Sequence, residues 1–113
     1  MPRSSDYLVT LVTAPDDATA STMAATLVGE GLAGCVNIVP AIRSVYRWKG
    51  EVMEEPETMM IFKTTRARFD ALAARIEALH PYETPEIIAL PIEAGARRYL
   101  DWLGACVALE KNK

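Results

Sequence analysis

The period of the apolar pattern switches repeatedly between two and about 3.6 along this chain, and the order of those switches restricts the fold more than any other feature. Residues 7–14, YLVTLVTA, are β-branched, apolar on both faces and bounded by Pro15, which suits a buried strand. In the following stretch Ala20, Met23, Ala24, Leu27 and Val28 fall at i, i+3, i+4, i+7 and i+8, the apolar stripe of a helix. Asp16 or Asp17 can cap its start and Gly31 can close it. From Cys35 to Lys49 the period returns to two. Val36, Ile38, Ile42, Tyr46 and Trp48 are expected on one face, with Cys35, Asn37, Val39, Arg43 and Arg47 on the other. A turn at Lys49-Gly50 leads into a second long strand, Glu51 to about Lys63, with Pro40 and Pro56 expected to mark bulges or edges.

Helical spacing then resumes. Phe69, Leu72, Ala73, Ile76, Leu79 and His80 share a face, Thr65 is a candidate N-cap, and Pro81 disfavours helical geometry at the residue before it. EIIALPIEA reads as the fourth strand. ARRYLDWLGACV reads as a short last helix that packs either Leu100, Leu103 and Val107 or Tyr99, Trp102 and Cys106. The result is an α+β chain of order βαββαβ plus a terminal helix, the pattern of a ferredoxin-like sandwich with both main helices on one face of an antiparallel sheet. No linker, repeat or low-complexity segment interrupts residues 1–113, so a single domain with its core at about 7–107 is expected.

The long hairpin carries a further expectation. A strand of about 15 residues at ~3.3 Å each reaches ~50 Å. A compact domain of this length has a radius of gyration of roughly 13 Å and a diameter of about 35 Å. The tip around Tyr46, Trp48 and Met53 should therefore overhang its own core and need cover from a partner subunit, unless the hairpin curls back strongly on the sheet.

Charge narrows the partners. Lys plus Arg number 12 and Asp plus Glu 15, a net charge of −3. That balance argues against nucleic acid or an anionic membrane as the main partner. No apolar run approaches the ~18 residues of a membrane span. The opening MPRSSDYL has no apolar core of a signal peptide, and two cysteines make a poor disulfide framework. A cytoplasmic protein is expected.

The segments TAPD, GCVNIVP, SVYRWKGEV, FKTT, HPYETPEI and YLDWL occur in that order, and as an ordered set they resemble the CutA family of divalent-cation tolerance proteins from about residue 7 to 107. The resemblance implies a ferredoxin-like subunit in a compact homotrimer, an architecture similar to that of the PII signalling proteins, and a link to copper and other divalent metals. It also implies a small-molecule or metal pocket near a cleft between subunits, with Tyr46, Trp48, Lys63, His80, Tyr82 and Glu83 at matching motif positions. Some relatives carry a cysteine where Val12 stands and a second histidine where Leu79 stands. Both changes remove a ligand.

The candidate chemistry centres on His80, the one histidine. Imidazole with the Cys35 thiolate and the Glu83 carboxylate could form a weak divalent-metal site, copper included, with symmetry bringing ligands together from different chains. The alternative is that His80 only closes a helix. Cys35 is either a ligand or a small buried hydrophobe, and Cys106 is expected to pack. The acidic run EVMEEPE is a weak cation surface or a solvated edge. In KTTRAR, basic residues near a helix N-terminus without a glycine-rich cradle make a poor anion site. Pro81 and Pro85 stiffen the loop that presents Tyr82, Glu83 and Glu86. No nucleophile motif is present, so neither an enzyme nor an organic cofactor is expected. Weak binding of a divalent metal by a non-catalytic homotrimer leads, with a PII-like module binding a small ligand between subunits as the alternative.

Overall fold

The computed structural model describes residues 6–109, so the opening segment and the last four residues lie outside it. The elements are β1 (Tyr7–Ala14), α1 (Asp17–Gly29), β2 (Cys35–Trp48), β3 (Glu51–Thr65), α2 (Arg66–Leu79), β4 (Ile88–Pro91) and α3 (Arg97–Cys106). The strands form one antiparallel sheet in the order β2-β3-β1-β4. The expected element order is therefore present, although β4 is much shorter than EIIALPIEA suggested.

α1 starts and stops where the local chemistry directs. Asp16 is the N-cap and its carboxylate accepts from the Thr19 N–H, which also holds the Asp16 carboxyl below its usual value. At the other end Gly31 has φ +75°, its N–H reaches the Val28 carbonyl, and the Leu32 N–H reaches the Leu27 carbonyl. This paired closure needs a left-handed residue at Gly31. Ala20, Met23, Ala24 and Leu27 are buried as the stripe predicts, but Val28 is exposed at 40%. The stripe is one residue narrower than its periodicity implied. Thr65 caps α2 by position only, without a side-chain bond.

The main core lies between the helices and one face of the sheet. Val12 and Ala14 of β1 and Met60 and Phe62 of β3 pack with Met23, Leu27, Leu72 and Ile76. α3 takes the other face, at the end where Tyr7 packs with Leu100 and Leu103. Leu100, Leu103 and Val107 are thus the packed set, while Tyr99 and Trp102 stay 41% and 47% exposed. Cys106, expected to pack, is exposed. Elsewhere on this second face Val39, Ile88 and Leu90 stand exposed among the described residues, whereas Thr13 and Glu57 are buried.

The hairpin corrects the expected faces of β2. Val39 pairs with Met59 but Ile42 pairs with Glu57, so an extra residue sits at Pro40-Ala41, where Ala41 has φ +62°. The bulge reverses side-chain alternation beyond it. Ile42, Tyr46 and Trp48 consequently share the face of Cys35, Asn37 and Val39 rather than that of Val36 and Ile38. Pro56 marks no bulge; it pairs in register with Arg43, beyond the end of β1. The turn has φ +51° at Lys49 and +85° at Gly50, the left-handed pair that suits a two-residue hairpin connection. The chain measures 48 Å along its long axis with a radius of gyration of 15.0 Å, larger than a compact domain of this length. The hairpin does overhang.

Candidate functional site: an acidic aromatic cleft at the root of the hairpin

His80 ends α2 with extended backbone, φ −74° and ψ 138°, and its ring turns inward to 7% exposure. Its Nδ1 lies 3.1 Å from the Tyr82 backbone N–H, which can only donate. Nδ1 is therefore the acceptor, and Nε2 carries the proton donated to the Thr13 carbonyl at 2.7 Å. Both nitrogens are committed. The ring ties the end of α2 to the end of β1 and fixes the start of the next loop, with the Tyr82 ring tilted against it at 4.7 Å between centroids.

Tyr82 carries that order outward. Its hydroxyl donates to Glu57 Oε2 at 2.6 Å, and Glu57 is only 8% exposed. One layer further up the hairpin, the Tyr46 hydroxyl donates to Glu55 Oε1 at 2.7 Å. Burial, then the bond to Glu57 and the surrounding charge, push Tyr82 far above the usual tyrosine range. The bond to Glu55, then burial, raise Tyr46. Both phenols are donors at neutral pH. They meet at a cleft of about 420 Å³ between the root of the hairpin and the loop after α2. Its walls hold Tyr46, Trp48 and Tyr82 together with the carboxylates of Glu55, Glu57, Glu83 and Glu86, and among the described residues no lysine or arginine.

The structure brings together some of the expected residues and separates others. Tyr46, Trp48, Tyr82 and Glu83 line one cleft, and His80 braces it from beneath. Lys63 does not belong to it. Lys63 pairs with Val9 and Cys35, six residues along β3 from Glu57, about 20 Å away. There its ammonium donates to Asn37 Oδ1. Cys35 is half-buried beside Lys63, near Tyr99, and is likewise remote from His80 within one chain. Among the described residues no three of histidine, cysteine, aspartate and glutamate are grouped so as to hold an ion.

Glu55 and Glu57 are the site residues that sequence reasoning missed. They sit in the acidic run EVMEEPE, where a solvated edge is the competing reading. Alternation divides that run: Glu54 faces away and pairs with Arg43 at 2.6 Å, whereas Glu55 and Glu57 line the cleft. The signal was their shared parity, but only the register with Tyr46 and Ile42 shows which parity matters.

Comparison with known proteins agrees with the segments noted above. A family model described as "CutA1 divalent ion tolerance protein" matches residues 8–106. The "Divalent-cation tolerance protein CutA" of Thermus thermophilus is 55% identical over 95 residues, 84% of this chain and 92% of that protein. "Protein CutA 1, chloroplastic" of Oryza sativa subsp. japonica is 45% identical over 96 residues, 85% of this chain and 54% of that longer protein. A solved structure of the divalent cation tolerance protein (Cut A1) from Thermus thermophilus superposes with a TM-score of 0.84 at 54% identity, over 86% of this chain and 94% of that one.

Proposed function

Since the chain belongs to the CutA1 family of divalent ion tolerance proteins, we propose that it acts as a non-catalytic cytoplasmic homotrimer that binds copper or another divalent ion weakly. The observation that carries this reading is the cleft, whose four carboxylates have no basic side chain among the described residues of its walls to neutralise them. Carboxylate oxygens suit hard divalent ions and, with water completing the shell, hold softer ones loosely. The absence of a tight grouping among the described residues fits weak binding, as does the commitment of both His80 nitrogens to the fold. His80 then acts by positioning, and Glu83, Glu55 and Glu57 are the candidate ligands, used singly or in pairs with water between them and the ion. Neither nucleic acid nor an organic cofactor enters this reading, and among the described residues no helix is long and apolar enough to cross a membrane.

The ferredoxin-like trimer belongs to the same proposal. Its support is the overhanging hairpin and the second sheet face with its exposed Val39, Ile88 and Leu90. Calorimetric titration of Cu²⁺ and Zn²⁺ into the wild type and Glu83→Gln tests the metal reading. Weak binding at pH 7.5 that falls in the variant supports it, and equal binding in both proteins sinks it.

The aromatic lining favours a second reading, a PII-like module that holds a small organic ligand between subunits. A cleft of about 420 Å³ far exceeds a bare ion and falls in the size range of small-molecule sites. A ligand-dependent change in protease sensitivity of the loop 81–87 would favour this reading over simple metal buffering.

A further inference from the structure

The cleft presents a buried carboxyl group and three aromatic side chains, with no basic residue among the described residues of its walls. Glu57 is more than nine-tenths buried, and its described hydrogen bond comes from a neutral phenol. A carboxylate so placed normally has a cationic partner, because a single neutral donor does not offset the loss of water around a full charge. The described ion pairs, Arg43–Glu54 and Arg75–Glu30, lie elsewhere. The Lys49 ammonium lies over the Trp48 ring, 5.8 Å from its centroid, the kind of contact that a ligand cation makes with an aromatic face.

Acidic side chains alone are more often a solvated edge, and the aromatic rings change the chemistry. A bare ion gains little from Trp48 or Tyr82, whereas an alkylammonium gains a charge-assisted bond at its nitrogen and apolar contact along its chain. Glu55 and Glu57 lie two residues apart on one strand face, about 6.6 Å, close to the separation of two amines joined by a four-carbon chain. Glu83 and Glu86 line the same cleft from the loop.

We propose that this cleft binds a linear aliphatic diamine or polyamine, its ammonium groups on Glu57 and Glu55 and its methylene chain against Tyr46, Trp48 and Tyr82. The inference rests on the small-ligand reading above and names its ligand class. Tyr46 and Tyr82 are positioning residues in this arrangement: each spends its hydroxyl on one carboxylate oxygen and leaves the other oxygen for the ligand.

The test uses the assembled protein as purified, at pH 7.5 and low salt, with 1,4-diaminobutane, spermidine and n-butylamine titrated by calorimetry. Affinity should rise with the number of amines and fall as salt is added. The variant Glu83→Gln/Glu86→Gln, at two exposed positions, should bind spermidine about tenfold more weakly with an unchanged melting point. Glu57→Gln should abolish diamine binding. If that variant fails to fold, Glu55→Gln at an exposed position provides the second measurement, with diamine affinity reduced to that of the monoamine and the mass unchanged. Absence of amine binding up to millimolar concentration, or equal affinity in wild type and variants, overturns the inference. Separate titration of Cu²⁺ distinguishes the two readings. Copper binding without amine binding ends this inference and leaves the metal reading standing, whereas amine binding without copper binding does the reverse.

Discussion

At His80 the two ring nitrogens are divided by hydrogen-bond polarity: one must accept from Tyr82 N–H, so the other must donate to the Thr13 carbonyl. A glutamine can imitate one of these bonds but not the rigid angle between them. His80→Gln should therefore cost about 1–3 kcal/mol of stability, read by denaturant unfolding, and should loosen Tyr82 as well. An unchanged midpoint would show that the ring does not brace the loop. Tyr82→Phe tests the next link, because it leaves the Glu57 carboxylate buried without its donor. A loss of similar size, about 1–3 kcal/mol, is expected. The tyrosines also set an alkaline limit. With a folded value raised above the unfolded value near 10, Tyr82 contributes stability that is fully present below about pH 10 and is lost as pH rises beyond it. Absorbance titration should show a late-ionising tyrosine that Tyr82→Phe removes. The location of His80 at a helix end was legible from Pro81. Its bond to Thr13 was not, because Thr13 is 67 residues away and no local pattern encodes that contact.

At the scale of elements, α1 and its closing turn are the most local part of the fold and the most readable. Gly31→Ala puts a Cβ on a left-handed residue with open space around it, so backbone strain alone should cost about 1 kcal/mol. Gly34→Ala differs in cause. Its Cβ would stand 2.6 Å from Leu103 Cδ1 and 3.3 Å from Cys106 Cβ, so the buried Leu103 side chain, or α3 with it, must shift to admit it. The melting point should fall, with the change confined to the end of the sheet where Tyr7, Leu100 and Leu103 pack. Hydrogen exchange that slows or stays constant in α3 of that variant would contradict the packing argument. For β2 the sequence pattern led astray beyond Pro40. A period-two count assumes an uninterrupted ladder, and the bulge at Pro40-Ala41 adds one residue that inverts every later side chain. The proline announced an irregularity without stating its consequence.

For the whole molecule, the hairpin and the partly exposed second sheet face are the features that one chain does not complete. Trp48 is 44% exposed, with Val45 and Val52 more exposed still, at 63% and 67%. If subunits cover this arm, Trp48→Ala should weaken assembly more than local folding. Sedimentation equilibrium at micromolar concentration should return about three times the 12.4 kDa chain mass for the wild type and a concentration-dependent lower mass for the variant. A wild-type monomer would remove the trimer from the proposal. An unchanged variant mass and melting point would place the tip in solvent.

What the sequence determined by itself is the set of elements, their order and the motif segments that mark the family, because strands, helices and caps are written in short-range periodicity and local hydrogen bonding. It also held the residues of the cleft, Tyr46, Trp48, Tyr82 and Glu83 among them, without their grouping. The tertiary structure alone decided that Lys63 and Cys35 stand apart from the cleft, that Glu55 and Glu57 belong to it, and that both His80 nitrogens are occupied. The physical reason is common to all three. Each depends on strand register and on contacts between residues remote in sequence, and a one-residue bulge suffices to turn a side chain from one face to the other.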